Sequence, residues 1–387
     1  MKYKKPTFIF ISTGDWGSEV WTNKQNTALE FSRNGYKVFF IDSLGLRSIA
    51  LNGFDLKNIF KKITYCLFPP IKVRDNIWNF RPILLPFKFK MAKKFNKLLL
   101  TFLIRFWMKF LKFKNPYLVT YNPCTSELVD LSIFEKVIYH CVDNIASQPL
   151  MDRKRIESLE ITLSKKSDLI FCTSDCLYKK LRFYNQNTYL HTNSIDTKFF
   201  DKYKSMNSFN SKLENINKPI LGFVGAISNY KINFELVEEI AIMKPEWSIV
   251  FIGKIGLGDP YTNIDKLKKY SNIHFLGKKQ YELIPKLISQ FDVALLPCRI
   301  NSYTEAMFPL KFFEYLYCNC PVVTTELDAI KEFYEFCFVQ KNAIGFVEAI
   351  ESILAGYSRT DFNKVKDIIK KNSYKERTKE MIKLIDN

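Results

Sequence analysis

The chain has 387 residues, of which 47% are hydrophobic, so it is long enough for two or three domains with their own cores, and a disordered or fibrous protein is excluded. Its formal net charge of +19 calls for an anionic partner, such as a phospholipid, a phosphorylated ligand or nucleic acid. The charge comes with no nucleic-acid-binding motif, and no uncharged apolar run reaches the roughly 18 residues of a membrane span, so we expect neither nucleic-acid binding nor a spanning helix.

The first half of the chain alternates short apolar strands with helical segments. The run from Phe8 to Ile11 is too short for the core of a signal peptide, so we interpret it as a buried first strand. The alternation predicts a parallel, doubly wound sheet. The expected strands are 7–12, 37–41, 117–121, 136–141 and 169–173, and the expected helices include 23–34 and 157–166.

Residues 88–114 form a basic segment that contains no acidic residue. This pattern predicts a membrane-facing helix that lies in a lipid interface, with its cations against an anionic leaflet and Leu, Phe and Trp on the opposite face. The alternative is a core helix whose exposed side is basic. The cations recur at three- and four-residue steps, so they can share one helix face: Lys94, Lys97, Arg105, Lys109 and Lys112.

The second half repeats the alternation after a polar stretch. Three of its strands stop at a glycine, Gly225, Gly253 or Gly277, where a ligand can approach the backbone closely. In open parallel sheets, ligands bind beyond the carboxyl ends of the strands. The expected strands are 219–224, 247–252, 273–276, 293–296 and 322–324, and the expected helices are 234–243, 281–289 and 310–317.

These patterns predict an α/β protein of two Rossmann-like, doubly wound domains that face a central cleft. Because residues 201–218 are polar and lack an apolar period, we expect them to be a linker. The remaining assignments are an N-terminal acceptor-side domain at 1–200, a donor domain at 219–360, and a helical segment at 361–387 that braces the first domain.

The segment from Glu305 to Thr325 contains the residues best suited to chemistry. A loop follows the strand that ends near Pro297, and a helix is expected to begin near Pro309, since proline is favoured in a first helical turn. The free N–H groups of a helix start form an anion site suited to a diphosphate, and Lys311 adds a full positive charge there. Glu314, one turn on, can accept the two hydroxyl protons of a ribose. The alternative is an amphipathic helix with an ordinary Lys–Glu surface pair.

The order Pro309-Leu-Lys-Phe-Phe-Glu-Tyr-Leu, followed by Pro321-Val-Val, resembles the donor-site motif of GT-B glycosyltransferases. It is most similar to bacterial retaining transferases of family four, which build capsular, teichuronic and lipopolysaccharide chains. The resemblance covers about Asp15 to Gly345. Its further pieces are Gly222-Phe-Val-Gly-Ala-Ile, Pro245-Glu-Trp-Ser-Ile-Val-Phe-Ile-Gly, Asn272-Ile-His-Phe-Leu-Gly, Phe291-Asp-Val-Ala-Leu-Leu-Pro, Tyr139-His-Cys-Val-Asp and Ser167-Asp-Leu-Ile-Phe-Cys-Thr-Ser.

The resemblance implies that Glu314 holds the ribose and that the backbone from Met307 to Leu310 holds the diphosphate. This sequence also departs from the family. Many relatives carry a second Glu, which touches the donor sugar, at the position of Ala306, and here Glu305 is its neighbour. Many also place Arg and Lys after the glycine turn, where this chain offers Lys231.

Together these features predict a donor site for a nucleotide-diphosphate sugar, with a UDP-sugar as the expected co-substrate. Lys311, Lys231 and Lys254 are the expected charge clamps for the leaving group. Since no Asp-x-Asp motif occurs, we expect no metal and no further cofactor. The full expected donor set is Gly225, Lys231, Lys254, Gly277, Pro309, Leu310, Lys311 and Glu314.

The proton acceptor depends on the stereochemistry of transfer. If transfer is retaining, as the resemblance implies, the leaving phosphate can itself take the acceptor proton. If it is inverting, a carboxylate base is required, and Asp15 and Asp143 follow strands of the first domain and are the candidates. The competing interpretations of the two residues are a turn residue for Asp15 and a helix N-cap for Asp143.

The sequence thus predicts a glycosyltransferase that acts on a lipid-linked or polysaccharide acceptor in bacterial surface glycan synthesis. We expect it in the cytoplasm, peripherally bound to the inner face of the plasma membrane through residues 88–114. Two alternatives remain open. One is a nucleotide-sugar epimerase, and the other is a non-catalytic membrane-surface binding protein that retains the fold.

Overall fold

The computed structural model describes residues 5–18, 21–44, 69–82, 84, 90–204 and 212–387. The chain divides into two compact units, Met1–His191 with Arg377–Asn387, and Thr192–Glu376. Each unit is built on one mainly parallel sheet with helices between the strands, which confirms the expected pair of doubly wound α/β domains. In the described part of the chain, no helix is both long enough and apolar enough to cross a bilayer.

The helices connect successive strands, as expected for parallel sheets. Several begin at a capping side chain; for example, the Asp152 carboxylate accepts the N–H of Arg155. The described helices are α1 (Asn23–Arg33), α2 (Lys90–Phe110), α3 (Thr125–Leu128), α4 (Arg153–Lys166), α5 (Asp175–Arg182), α6 (Thr197–Lys204), α7 (Phe234–Met243), α8 (Ile284–Ile288), α9 (Leu310–Tyr317), α10 (Ala343–Leu354), α11 (Phe362–Lys371) and α12 (Tyr374–Asp386).

The strands of the first unit are β1 (Thr7–Ile11), β2 (Lys37–Ile41), β3 (Ile71–Arg74), β4 (Ile77–Phe80), β5 (Pro116–Thr120), β6 (Lys136–Cys141), β7 (Leu169–Cys172) and β8 (Thr188–Leu190). They are ordered β3-β4-β2-β1-β5-β6-β7-β8, and β3 and β4 pair antiparallel. The strand order reverses between β1 and β5. Every residue of β1 is buried, because helices cover both faces of the sheet.

The strands of the second unit are β9 (Ile220–Val224), β10 (Ser248–Ile252), β11 (Ile273–Phe275), β12 (Val293–Leu296), β13 (Val322–Thr324) and β14 (Phe338–Val339). They are ordered β11-β10-β9-β12-β13-β14, and their pairs are parallel. This is the strand order typical of Rossmann folds, with the reversal between β9 and β12.

The boundary between the units differs from the expected one at residue 200. The second unit already begins at Thr192, because the residues that follow are fastened within it. The Asn193 side chain donates to the carbonyl of Phe308 at 2.8 Å, and the Phe199 ring stacks on Tyr281 with centroids 4.6 Å apart. The expected linker is also partly structured, since Leu213 is buried and Asp201 accepts a hydrogen bond from Tyr317. Residues 205–211 of this segment lie outside the described part.

The expected bracing segment, 361–387, is divided between the units. Its first helix, α11, packs on α9 and buries Val365 and Ile369 in the core of the second unit. Only Arg377–Asn387 belongs to the first unit, where Met381 and Ile385 are fully buried. An ordinary amphipathic period does not reveal which of two cores a helix will join.

Candidate functional site

The candidate site lies at the carboxyl edge of the second sheet, where β9 and β12 separate. These two strands pair through Leu221 and Gly222, whereas the pairing of β9 with β10 continues to Val224. Separation at the point where strand order reverses opens the crevice in which sheets of this kind bind ligands.

Tyr315, from helix α9, takes the place of the missing strand partner. Its hydroxyl oxygen accepts the backbone N–H of Val224 at 2.8 Å and lies 3.4 Å from the carbonyl of the same residue. The Tyr315 side chain is fully buried, and burial raises its pKa well above the usual value. The contact therefore ties helix α9 to the end of β9 and holds both sides of the crevice in register.

Three glycines follow adjacent strands at this edge. The N–H of Gly225 donates to Ile252, and the N–H of Gly253 donates to Gly277 at 3.0 Å. A Cβ atom on Gly253 would lie only 1.7 Å from the carbonyl oxygen of Gly225, so the backbones are too close for any side chain there. Around Gly277 the corresponding space is open, which leaves room for a ligand beside the edge.

The loops that follow β9 and β12 are linked to each other. The Asn301 side chain donates to the carbonyl of Tyr230 at 2.8 Å, and Ile232 forms an isolated bridge with Cys298. The ammonium of Lys231 lies 5.3 Å and 5.2 Å from the ring centroids of Tyr230 and Tyr303. The loops thus hold the Lys231 charge in a fixed place. Lys254 lies on the next loop; its side chain is exposed, and its carbonyl accepts the N–H of Ile227.

Helix α9 begins at Leu310, directly after Pro309. Pro309 occupies the N-cap position and offers no side-chain acceptor, so the first N–H groups of the helix have no capping partner from that residue. These groups and the positive end of the helix dipole suit an anion. The helix start is anchored below by Phe308, whose ring packs against Phe313 and Phe333.

Glu314 is buried, with a side chain only 5% exposed, so it is not part of an ordinary surface pair. Its Oε1 accepts the hydroxyl of Tyr281 at 3.3 Å, and its Oε2 pairs with Lys311. The Lys311 ammonium also lies 5.5 Å from the centroid of the Tyr281 ring. Burial and the nearby Glu314 charge raise the pKa of Tyr281 well above its usual value, so the phenol remains a donor. The charge of Lys311 is therefore directed at Glu314 in this structure.

We did not predict from the sequence that Tyr281 contacts Glu314 on helix α9, or that Tyr315 on the same helix contacts the end of β9. Ala306 is fully buried, whereas its neighbour Glu305 is exposed, so the two consecutive loop residues occupy different environments. A tyrosine at the start of the expected helix 281–289 gave no signal by itself. The structure has a 3-10 turn there, followed by the short helix α8 with Pro285 in its first turn.

The two candidate bases lie in the first unit. Asp15 is exposed, its carboxylate accepts the N–H of Ser43 at 3.1 Å, and its carbonyl accepts the N–H of Ser18, as in a turn. Asp143 follows β6 and is half-buried, and its carbonyl accepts the N–H of Ile145. Strand β5 separates β1 from β6 in the sheet, so these two carboxylates follow strands that are not neighbours.

The carboxylate of Asp42, which also follows a strand, has a structural role. It is buried and accepts hydrogen bonds from the backbone of Trp16, from Asn79 at 2.6 Å and from Arg81 at 2.7 Å. Burial raises its pKa, while these donors oppose the shift. Its position directly after β2 is the signal that would have identified it.

The three histidines have lowered pKa values. Burial is the main cause at His140, His191 and His274. The Nδ1 of His140 lies 3.1 Å from the hydroxyl of Tyr121 in the core of the first unit. In the described residues, no group of three or more His, Cys, Asp or Glu side chains is placed to hold a metal ion.

Known proteins share both the fold and this region. Residues 218–356 match the family model described as glycosyl transferases group 1. A Bacillus subtilis protein, TuaH, assigned to teichuronic acid biosynthesis as a glycosyltransferase, is 28% identical over 246 residues, which cover 59% of this chain and 60% of that protein. This chain therefore aligns with less than two thirds of that relative's length.

Two solved structures superpose over nearly the whole chain. Sucrose-phosphate synthase from Thermosynechococcus elongatus has a TM-score of 0.72 at 14% identity and covers 99% of this chain and 98% of its own. Anabaena Alr3699/HepE, solved in complex with UDP, has a TM-score of 0.66 at 12% identity and covers 98% and 99%. The chain therefore has the fold of the GT-B glycosyltransferases, and its residues 218–356 are similar to the glycosyl transferases group 1.

Proposed function

We propose that the chain is a glycosyltransferase that moves a sugar from a UDP-sugar to a lipid-linked or polysaccharide acceptor in bacterial surface glycan synthesis. The observation that carries the proposal is the buried carboxylate of Glu314, which is held by Tyr281 and Lys311 one turn inside an uncapped helix start. A fixed acceptor pair beside an anion site fits the ribose and the diphosphate of a nucleotide.

In the proposed donor site, the carboxylate of Glu314 accepts hydrogen bonds from the ribose hydroxyls, and the N–H groups of Leu310 and Lys311 donate to the diphosphate. Lys231 and Lys254 add positive charge from the loops after β9 and β10, and the backbone at Gly225 and Gly277 borders the nucleotide. The choice of UDP is supported by Alr3699/HepE, whose structures contain UDP and UDP-glucose.

In the proposed reaction the bond between the anomeric carbon and the diphosphate breaks, and the bond to the acceptor hydroxyl forms. Positive charge develops on the sugar and negative charge on the leaving group, which the helix start and Lys311 stabilise. For a retaining, metal-independent transfer, the leaving phosphate takes the acceptor proton. An inverting transfer would instead use Asp15 or Asp143 as the base.

The proposed acceptor class follows from the resemblance to transferases of surface glycans, and the similarity to a relative named for teichuronic acid biosynthesis supports it. A capsular or lipopolysaccharide chain is the corresponding possibility in other bacteria. We therefore propose that the protein acts at the cytoplasmic face of the plasma membrane and contacts it through the basic segment, residues 88–114.

One observation favours a second function, that of a nucleotide-binding protein without transferase activity. Ala306 stands where many relatives carry the Glu that touches the donor sugar, and its side chain is fully buried. Turnover separates the two functions: hydrolysis or transfer of the sugar from UDP-glucose supports the enzyme, and binding without turnover of any UDP-sugar supports the binding protein. An epimerase would convert the donor sugar with no acceptor present.

Calorimetry with UDP tests the proposed site through Glu314→Gln. The chain offers a matched control in Glu160, which is equally buried in the first unit. Its Oε1 accepts a hydrogen bond from the hydroxyl of Tyr139 at 2.7 Å, and its Oε2 accepts one from the ammonium of Lys180 at 2.6 Å. Glu160→Gln thus perturbs the same kind of Tyr–Glu–Lys cluster away from the candidate site.

We expect Glu314→Gln to weaken UDP binding at least tenfold and Glu160→Gln to leave it within about twofold of the unmodified protein, since a lost charged hydrogen bond costs about 1.5–3 kcal/mol. Equal UDP affinity in both variants, with both folded by circular dichroism, would remove Glu314 from the nucleotide site.

A further inference from the structure

Helix α2 presents a continuous apolar stripe to solvent. Leu98 is 64% exposed and Phe110 is 68% exposed, which is unusual for large apolar side chains on one helix. The rings also form a row along the helix, with Phe102 stacked on Phe106 and Phe106 stacked on Phe110. The apolar stripe consists of Met91, Phe95, Leu98, Phe102, Phe106 and Phe110.

The opposite side of α2 packs against the first unit. Asn96, Leu100 and Ile104 are fully buried there. Two lysines face the same way: Lys93 pairs with Glu127 at 3.0 Å, and Lys97 donates to the carbonyl of Ser126 at 3.1 Å. The sequence-based expectation of a basic face opposite an apolar face is therefore wrong in one respect. Because helix α3 supplies acceptors, Lys93 and Lys97 anchor the helix, and the exposed face is apolar.

Among the side chains of α2 that the structure describes, three exposed cations lie on the solvent side. Lys94, Arg105 and Lys109 each directly precede a residue of the stripe, namely Phe95, Phe106 and Phe110. No acidic residue occurs between 90 and 114. Long basic side chains beside an apolar surface can keep their charged ends in the polar layer while their stems cover apolar groups.

We propose that this face docks on an anionic phospholipid bilayer, with the axis of α2 parallel to the membrane plane. The stripe enters the boundary between headgroups and acyl chains, and Lys94, Arg105 and Lys109 contact the phosphates. The length of α2, about 30 Å at 1.5 Å per residue, gives a long contact line. A second copy of the chain is disfavoured as the occupant, because it would bring the same three cations against each other.

This docking names the membrane partner of the proposed transferase, but it rests on a different surface from the nucleotide site. Its success or failure is therefore separable from that of the proposed function. UDP binding, measured on the same preparations, reports the second unit, while vesicle binding reports α2.

The test is sedimentation of the full chain with vesicles of phosphatidylglycerol and phosphatidylcholine, and with phosphatidylcholine alone. One variant removes part of the stripe, Phe102→Ser with Phe106→Ser. Another removes the charges, Lys94→Gln with Arg105→Gln and Lys109→Gln. A charge-matched control changes three exposed lysines of the same unit, Lys154→Gln, Lys166→Gln and Lys383→Gln.

We expect the unmodified chain and the control to bind the anionic vesicles. The charge variant should lose up to about a hundredfold in affinity, at about fivefold for each cation, and the stripe variant should lose at least as much. All variants should bind UDP as before. Unchanged vesicle binding by the stripe variant, or no binding by the unmodified chain, would overturn the proposal, as would a solution dimer that the stripe variant dissociates.

Discussion

The hydroxyl of Tyr281 donates to Oε1 of Glu314 at 3.3 Å, although the two residues lie on different elements of the second unit. Tyr281 itself is fixed by Phe199, whose ring stacks on it, and Lys311 takes the other carboxylate oxygen. Glu314 is therefore pre-set in one orientation. A carboxylate so constrained loses little conformational entropy when it binds a ribose.

Removing the Tyr281 hydroxyl tests this orientation. Tyr281→Phe should weaken UDP binding about three- to tenfold in calorimetry, because Glu314 loses one of its two partners, worth about 1 kcal/mol. The matched control is Tyr270→Phe, since Tyr270 donates to Glu238 at 2.9 Å in the same unit. If both variants bind UDP equally well, Tyr281 does not position the carboxylate.

The Lys311–Glu314 pair predicts a strong effect on stability. Lys311→Met leaves a carboxylate that is 5% exposed without its cation, so it should destabilise the second unit by about 2–4 kcal/mol in urea denaturation. The double variant with Glu314→Gln should recover part of this loss, since no charge is then left unpaired. Additive losses in the two single variants and the double variant would show that the pair does not interact.

Tyr315→Phe should destabilise the end of β9. The variant leaves the N–H of Val224 buried without its acceptor, which costs about 1–3 kcal/mol, and frees the two sides of the crevice to shift. Hydrogen exchange at Val224 should speed up, and UDP affinity should fall. Slow exchange at Val224 in the variant would mean that another group replaces the phenol.

The glycines at the carboxyl edge of the second sheet can be tested with two similar substitutions. Gly253→Ala should abolish UDP binding or prevent folding of the second unit, because the new methyl group meets Gly225 at 1.7 Å. Gly277→Ala has open space and only the cost of a positive φ of 66°, about 1 kcal/mol. Thermal denaturation of both variants measures the difference, and equal losses would contradict the close approach of the two backbones.

The lowered pKa of His191 predicts that the stability of the first unit decreases in acid. Burial, aided by Arg377, lowers its pKa to about 4, and Glu380 at 3.8 Å from its Nδ1 offsets this only weakly because that side chain is exposed. The unfolded chain, with a His pKa near 6.5, binds the proton first, so stability is full above that pH and falls as the pH drops towards 4.

The expected loss of stability from this group is about 2 kcal/mol between pH 7 and pH 5. His191→Gln should therefore reduce the pH dependence of denaturation over that range. A variant with the same acid sensitivity as the unmodified chain would show that His191 is not the titrating group.

The fold could be predicted from the sequence because the patterns that indicate its strands and helices are local. Buried strands appear as short apolar runs, and Gly225, Gly253 and Gly277 mark where three of them end. The roles of the two tyrosines at the site could not be predicted from the sequence, because Tyr315 contacts Val224 and Tyr281 contacts Glu314 across long separations in sequence. A sequence also gives no direct measure of burial, so Glu314 could not be distinguished from a surface residue.

Helix α2 shows the same limit of prediction from sequence. Periodicity places residues on a helix face but does not say which face meets the core. The acceptors of Lys93 and Lys97 lie on α3, which is distant in sequence, and they turn these two lysines inward.

The most direct test of the proposed nucleotide site is a crystal structure of the full chain with UDP. We expect ribose hydroxyls within hydrogen-bond distance of the Glu314 carboxylate and a phosphate at the N–H groups of Leu310 and Lys311. A nucleotide bound elsewhere, with Glu314 still enclosed by Tyr281 and Lys311, would contradict it.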